Sequence, residues 1–231
     1  MANYSSKRLG GAILLVVALN IGLVGSSSAA KPPPQTTPEG LELTPSKNVP
    51  VLYTRPGASF EQYTKVMLDP VQVAFSKSWD PRDYGGKFGL SKTDVEKIRQ
   101  DVGALAHETF SKVLNAGGYP IVTEPTEGVL QVACYVVDLY INAPDKQTAG
   151  VTRRYVKSAG SMVMVIELRD AVTGTLLARA YDRAEQNDIG GFSWANSVSN
   201  RAVADSMFTR WANRLKEALD ATKGAKQTGA K

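Results

Sequence analysis

The sequence predicts an α+β fold: a two-layer sandwich in which a mostly antiparallel sheet of about four strands carries two long amphipathic helices on one face. Three observations predict it. Residues 160–185 alternate with a period of two, Met162, Met164, Ile166 and Leu168 on one side and Val163, Val165, Glu167 and Arg169 on the other, as a half-buried strand requires. A turn from Asp170 to Thr175, centred on Thr173-Gly174, leads into a second extended run, so the stretch reads as a β-hairpin. Two other stretches, residues 91–118 and 198–219, repeat apolar side chains every three or four positions, the spacing of a helix with one buried stripe.

A chain of 231 residues, 43% hydrophobic, is long enough for one sizeable core with appendages. Residues 1–30 begin with Lys7 and Arg8, continue through an apolar run broken only by Asn20, and end in small residues up to Ala30. That is the plan of a secretory signal peptide cleaved after Ala30, which predicts a periplasmic protein with no stable membrane span after cleavage. Retention as an anchor is the alternative, because the apolar run is near the lower limit of a span. Residues 31–50 open on Lys31-Pro32-Pro33-Pro34 and read as a proline-stiffened linker. Residues 51–222 form the single domain, and residues 223–231, bearing Lys223, Lys226 and Lys231, form a flexible basic tail with weak attraction for anionic lipid.

Within the domain, residues 51–63 pack over the core around a Pro56-Gly57 turn. Residues 64–75 are the first strand, and Pro70, lacking a backbone donor, places it at an edge or a bulge. Residues 76–89 are a loop rich in aromatic and charged side chains. Ser91 and Asp94 form a capping box that starts a helix of about 25 residues, and Gly117-Gly118 ends it. Residues 129–141 are rich in strand formers, but their apolar parity switches between Val136 and Leu139, which predicts a bulge at Val137 or Asp138. A polar connection, residues 142–159, precedes the hairpin. A Gly190-Gly191 loop precedes the last helix, expected to end near Gly224.

Composition and motifs argue against most chemistries. The 27 basic and 22 acidic residues give +5, two of those charges belong to the leader, and the rest are dispersed, which is not a nucleic-acid pattern. His107-Glu108 is followed by Ser111 where a zinc-protease helix needs its second histidine, and one histidine with one cysteine makes no zinc or haem site, so no cofactor is expected. No serine sits in a G-x-S-x-G elbow, and neither Gly85-Gly86 nor Gly190-Gly191 has phosphate-loop spacing. Asp80, Asp83, Asp138 and Asp170 are the carboxylates from which an acid–base pair would have to come. Cys134, flanked by Val132 and Val136, reads as a small buried hydrophobe.

Tyr63 with Leu68-Asp69-Pro70-Val71, the helix end Leu114-Asn115-Ala116-Gly117-Gly118-Tyr119, the hairpin Leu168-Arg169-Asp170-Ala171-Val172-Thr173-Gly174, and the closing Phe208-Thr209-Arg210-Trp211-Ala212-Asn213-Arg214-Leu215 together resemble the Gram-negative envelope proteins grouped as domain-of-unknown-function family 3313. The resemblance spans roughly residues 51–222. It implies an envelope domain and brings no catalytic residues. Members are often lipoproteins, whereas this chain has Ser26, Ser27 and Ser28 where the acylated cysteine would lie.

The expectation is therefore a non-enzymatic domain that binds an envelope protein or envelope polymer through two loops. The residues proposed to bind are Trp79, Asp80, Arg82 and Tyr84 in the first, and Arg153 and Arg154 in the second. The alternative is a small-ligand or glycan-binding module using the same aromatic loop, with a hydrolase third. The oligomeric state is left open.

Overall fold

The computed structural model describes residues 32–83, 89–141, 160–185 and 197–228, with side chains in the last helix from Arg201 to Lys223. The chain divides into two units, Met1–Pro32 and Pro33–Lys231, and every described strand and helix belongs to the second.

The period-two stretches form the centre of a sheet. The central strands are β5 (Val129–Tyr140), β6 (Ser161–Asp170) and β7 (Leu176–Glu185), antiparallel in sequence order. Four short strands extend it: β1 (Glu42–Thr44), β2 (Val51–Thr54), β3 (Lys65–Leu68) and β4 (Gln72–Phe75). The order is β1-β2-β7-β6-β5-β3, and β4 also pairs with β5. The sheet thus has seven strands, not about four, and it is mixed, because β3 and β4 run parallel to β5. The class remains α+β.

Physical causes for the discrepancy lie in the short strands. Asp69-Pro70-Val71 interrupts what reads as one strand, because Pro70 cannot donate to a ladder. The two pieces therefore pair with β5 at separate registers, Val66 opposite Leu130 and Val73 opposite Val136. At the other edge, β1 lies in the proline-rich stretch, and the ordered sheet begins ahead of Val51. Leu41, just before it, is fully buried against Tyr53 and Leu176.

The hairpin turn forms as its residues require. Asp170 Oδ1 accepts from the backbone N–H of Val172 and Thr173 at 3.1 and 2.7 Å, and Gly174 adopts φ 70°, which its missing Cβ permits. In β5 the register shifts between Val137 and Tyr140, and Asp138 has φ 54°, the bulge that the parity switch predicts.

Helix α1 (Lys92–Ala116) starts with the capping box: Ser91 Oγ accepts from Asp94 N, and Asp94 accepts from Ser91 N. Helix α2 (Ser197–Thr228) runs past Gly224. The helices are tied by Thr109 Oγ1 donating to Asp205 Oδ1 at 2.7 Å, and Tyr119 ties itself to α2 by donating to Asp220 Oδ1 at 2.8 Å. Phe110 and Leu114 of α1, with Met207, Phe208 and Trp211 of α2, share one core with Leu130, Val132, Cys134 and Val136 of β5 and Met162 and Met164 of β6. Gly103 lets α1 approach β4 closely: a Cβ there would meet Val71 O at 2.9 Å. Cys134 is a free thiol, 1% exposed, and burial raises its pKa, so it is unreactive packing.

The opposite face of the sheet carries a charged ladder. Glu167 and Arg179 are direct cross-strand partners, and Arg179 Nη2 reaches Glu167 Oε1 at 2.7 Å with both side chains at least 90% buried. Arg169 meets the other Glu167 oxygen at 2.7 Å, and Glu39 closes over Arg179 at 3.0 Å. This ladder fastens the segment ahead of β1 to the sheet.

Candidate functional site

The aromatic loop is spent largely on structure. Trp79 is 7% exposed, donates from Nε1 to Ile141 O at 3.1 Å, and stacks on Phe75 with ring centroids 4.2 Å apart and planes 13° from parallel. It clasps the end of β5 to β4 and presents little surface to a partner. Asp80 and Arg82 close on each other around the short 3-10 turn Pro81–Asp83, Nη2 to Oδ2 at 2.5 Å and Nε to Oδ2 at 2.9 Å. The hydrogen bonds from Arg82 hold the Asp80 carboxyl down at about 2. Arg82 remains solvent-facing, 86% exposed along its side chain. Tyr84, Arg153 and Arg154 lie outside the described residues.

Three of the four carboxylates considered for catalysis are engaged elsewhere. Asp138 meets Arg183 at 3.4 Å, Asp170 is occupied by its own turn and by Tyr63 Oη at 2.9 Å, and Asp80 is closed on Arg82. Among the described residues, no three histidine, cysteine or acidic side chains cluster as metal ligands. No described helix is long and apolar enough to cross a membrane.

A different site emerges between α2, β7 and the connection from β1 to β2. Along β7 the helix-facing positions include Ala178, Ala180 and Ala184, with Asp182 among them. Small side chains under a helix leave space that its own residues do not fill. The result is a cleft of about 110 Å³ whose floor is Ala178, Ala180 and Ile166 and whose wall is Leu52, Trp211 and Leu215. Ser46 and Asn48 of the exposed connection and Ala218 of α2 also line it.

One polar cluster interrupts this apolar lining. Asp182, 8% exposed, accepts from Trp211 Nε1 at 2.7 Å and from Arg214 Nη1, an ion pair with Arg214 about one-third exposed. A carboxylate this buried must be paired, and here it takes both donors from one helix, which pins α2 over β7. Arg214 has further N–H groups beyond the one used, and they point the chemistry of the cleft toward acceptors. Neither Asp182 nor Arg214 stands out in the sequence. The legible signal is the alanine row in L-L-A-R-A-Y-D-R-A-E, small residues where a helix must pack, broken by one acid.

The family model described as Protein of unknown function (DUF3313) matches residues 39–215. The chain belongs to that family. The DUF3313 match starts at Glu39, which closes the charged ladder, and ends at Leu215, which lines the cleft, so it takes in both sheet faces. No curated protein matches the chain. Among solved structures, it is similar to the PelC dodecamer from Paraburkholderia phytofirmans, with 16% identity over 71% of this chain and 95% of that one and a TM-score of 0.38. A second crystal of PelC gives 16% identity, 71% and 94% coverage and a TM-score of 0.36. A neuraminyllactose-binding hemagglutinin homolog from Helicobacter pylori shares 10% identity over 72% of this chain and 92% of that one, with a TM-score of 0.33.

The ladder on the opposite face makes a pH prediction. The hydrogen bond from Arg179 holds the Glu39 carboxyl at about 2, below its ordinary 4.5. A carboxyl depressed on folding stabilises above its unfolded pKa, and that contribution is lost as pH falls from 4.5 toward 2. Glu39 is 41% exposed, so solvent screening limits the effect to about 1 kcal/mol or less. Wild type is expected to melt higher than Glu39→Gln at pH 6, and the gap between the two thermal midpoints should shrink steadily as pH falls from 4.5 to 2; a gap at pH 2 as large as that at pH 6 contradicts the assignment.

Proposed function

We propose that this chain is an exported, non-catalytic domain of the cell envelope that binds another envelope component, and that the cleft beside α2 is its contact site. The leader-like residues 1–30 support export. The observation that carries the binding reading is the cleft itself, apolar on its floor and bearing at Arg214 a partly exposed guanidinium with donors to spare. Such concave apolar sites with a few placed polar groups are the usual form of a binding site. The buried Trp79 ring leaves the first loop a smaller role, through the solvent-facing Arg82.

The reading is tested in cells with a photo-crosslinking amino acid at Asn48, on the cleft lining, and separately at Val172, on the hairpin turn. A discrete adduct from position 48 that is absent from position 172, and lost when Ala218→Trp fills the cleft, is the expected result. Equal adducts from both positions, or none from 48, would defeat the reading. The mass of the mature amino terminus tests export independently: a chain starting at Lys31 is expected, and an intact Met1 contradicts cleavage.

A further inference from the structure

We infer that the cleft takes one aliphatic side chain of leucine size from a partner protein, with Asn48 and Arg214 holding the backbone that carries it. The inference rests on the proposed binding role of the cleft and adds what enters it.

Charge gives the first argument. Asp182 and Arg214 are the two ionised side chains in the lining, and they are paired with each other. The lining is therefore neutral overall, and a charged group entering it would leave water without gaining a counter-charge. The N–H groups that Arg214 keeps after pairing suit a neutral acceptor, such as a peptide carbonyl.

Size gives the second. At about 110 Å³ the cavity is smaller than the roughly 150 Å³ that accepts a benzene ring, so it holds about four or five carbons. The side chain of leucine, isoleucine or methionine fits that space. A phenylalanine or sugar ring exceeds it, and a lipid acyl chain would leave most of its length in water. Among the described residues of this chain, the exposed large apolar side chain is Val172, which is too small to fill the cavity, so a second copy is the poorer occupant.

The lining residues Ser46 and Asn48, on the exposed connection between β1 and β2, give the third argument. Ser46 Oγ is occupied by its own turn, accepting from the backbone N–H of Asn48 and Val49 at 3.1 and 3.2 Å. The Asn48 side-chain amide is exposed and makes no hydrogen bond among the described residues. It offers both a carbonyl acceptor and N–H donors, the complement of a peptide group. An apolar centre with a polar rim is the layout of a contact between proteins.

The test titrates the full chain with N-acetyl-leucinamide and follows the indole N–H resonance of Trp211, which lines the cavity. A saturable shift at millimolar concentration is expected, with N-acetyl-alaninamide, which lacks most of the side chain, binding about tenfold more weakly. Asn48→Ala should weaken the leucinamide about threefold, and Ala218→Trp should abolish its binding, with the thermal midpoint of each variant confirming the fold. A leucinamide shift that fails to saturate overturns the inference. So does N-acetyl-leucine binding more tightly than the amide, which would make the cleft an anion site, or N-acetyl-phenylalaninamide binding as tightly as the leucinamide. Affinity that keeps rising from butanol to octanol would assign the cleft to a lipid chain and also overturns it. The crosslink at position 48 separates the two failures: a protein adduct without leucinamide binding refutes the aliphatic side chain alone, and the absence of both refutes the site. An adduct of twice the chain's mass would make the occupant a second copy, against the inference.

Discussion

Glu167→Ala is expected to lower stability by about 3–5 kcal/mol, read as a fall in the denaturation midpoint with little change in slope. The deletion leaves the Arg179 guanidinium buried opposite a methyl group in the middle of the sheet, with only the half-exposed Glu39 to answer it. Arg169 loses its carboxylate partner at the same time and keeps the Gly174 carbonyl. The size of the loss comes from the stranded charge rather than from the worth of the ion pair, because burying two charges consumes most of what their attraction returns. A double replacement, Glu167→Leu with Arg179→Met, removes both charges and is therefore expected to recover most of the loss. If the double variant is as unstable as the single one, the ladder stabilises by attraction and the desolvation argument is wrong.

Trp211→Ala is expected to cost about 3–5 kcal/mol as well, by a different route. The indole is 1% exposed and fills the space between α2 and the alanine row of β7, so its removal enlarges an existing cleft into a void through the core. Its Nε1 donor to Asp182 is lost too. Trp211→Phe separates the two contributions: it keeps much of the ring and deletes the donor, and since Arg214 still holds Asp182, a loss of about 1 kcal/mol is expected. A Phe variant as damaged as the Ala variant would make the hydrogen bond, not the packing, the main term.

The elements that were legible in the sequence are those that carry their own period or punctuation. The hairpin has ten-residue strands and an Asp-to-Gly turn, α1 has a capping box and a Gly-Gly stop, and the β5 bulge shows as a change of parity. The strands absent from the sequence reading, β1 and β2, have neither. They are three and four residues long, too short to display alternation, and they form because β7 offers an edge to β2 and β2 offers one to β1, while β3 and β4 are the two halves of one expected strand divided at Pro70. Parallel pairing of β3 and β4 with β5 joins residues more than sixty positions apart, with no local turn to announce it.

The same reasoning explains the site. Trp79 reads in the sequence as an aromatic in a loop, yet its destination is set by Phe75 and the carbonyl of Ile141, a partner no local pattern reveals. The cleft is assembled from Leu52, Asp182 and Arg214, each ordinary in its own element. Only the run of alanines under a bulky helix signals that space must remain.

The single thiol at the heart of β5 has a practical consequence. Cys134 lies on the strand that pairs with β3, β4 and β6 and is shielded on its helix-facing side by the shared core. A thiol-alkylating reagent can reach it only when the middle of the sheet comes apart, so its labelling rate is a built-in clock for rare openings of the native state. With no second cysteine in the chain, that clock has one hand, and the Glu167 and Trp211 variants can be timed by it without adding a probe.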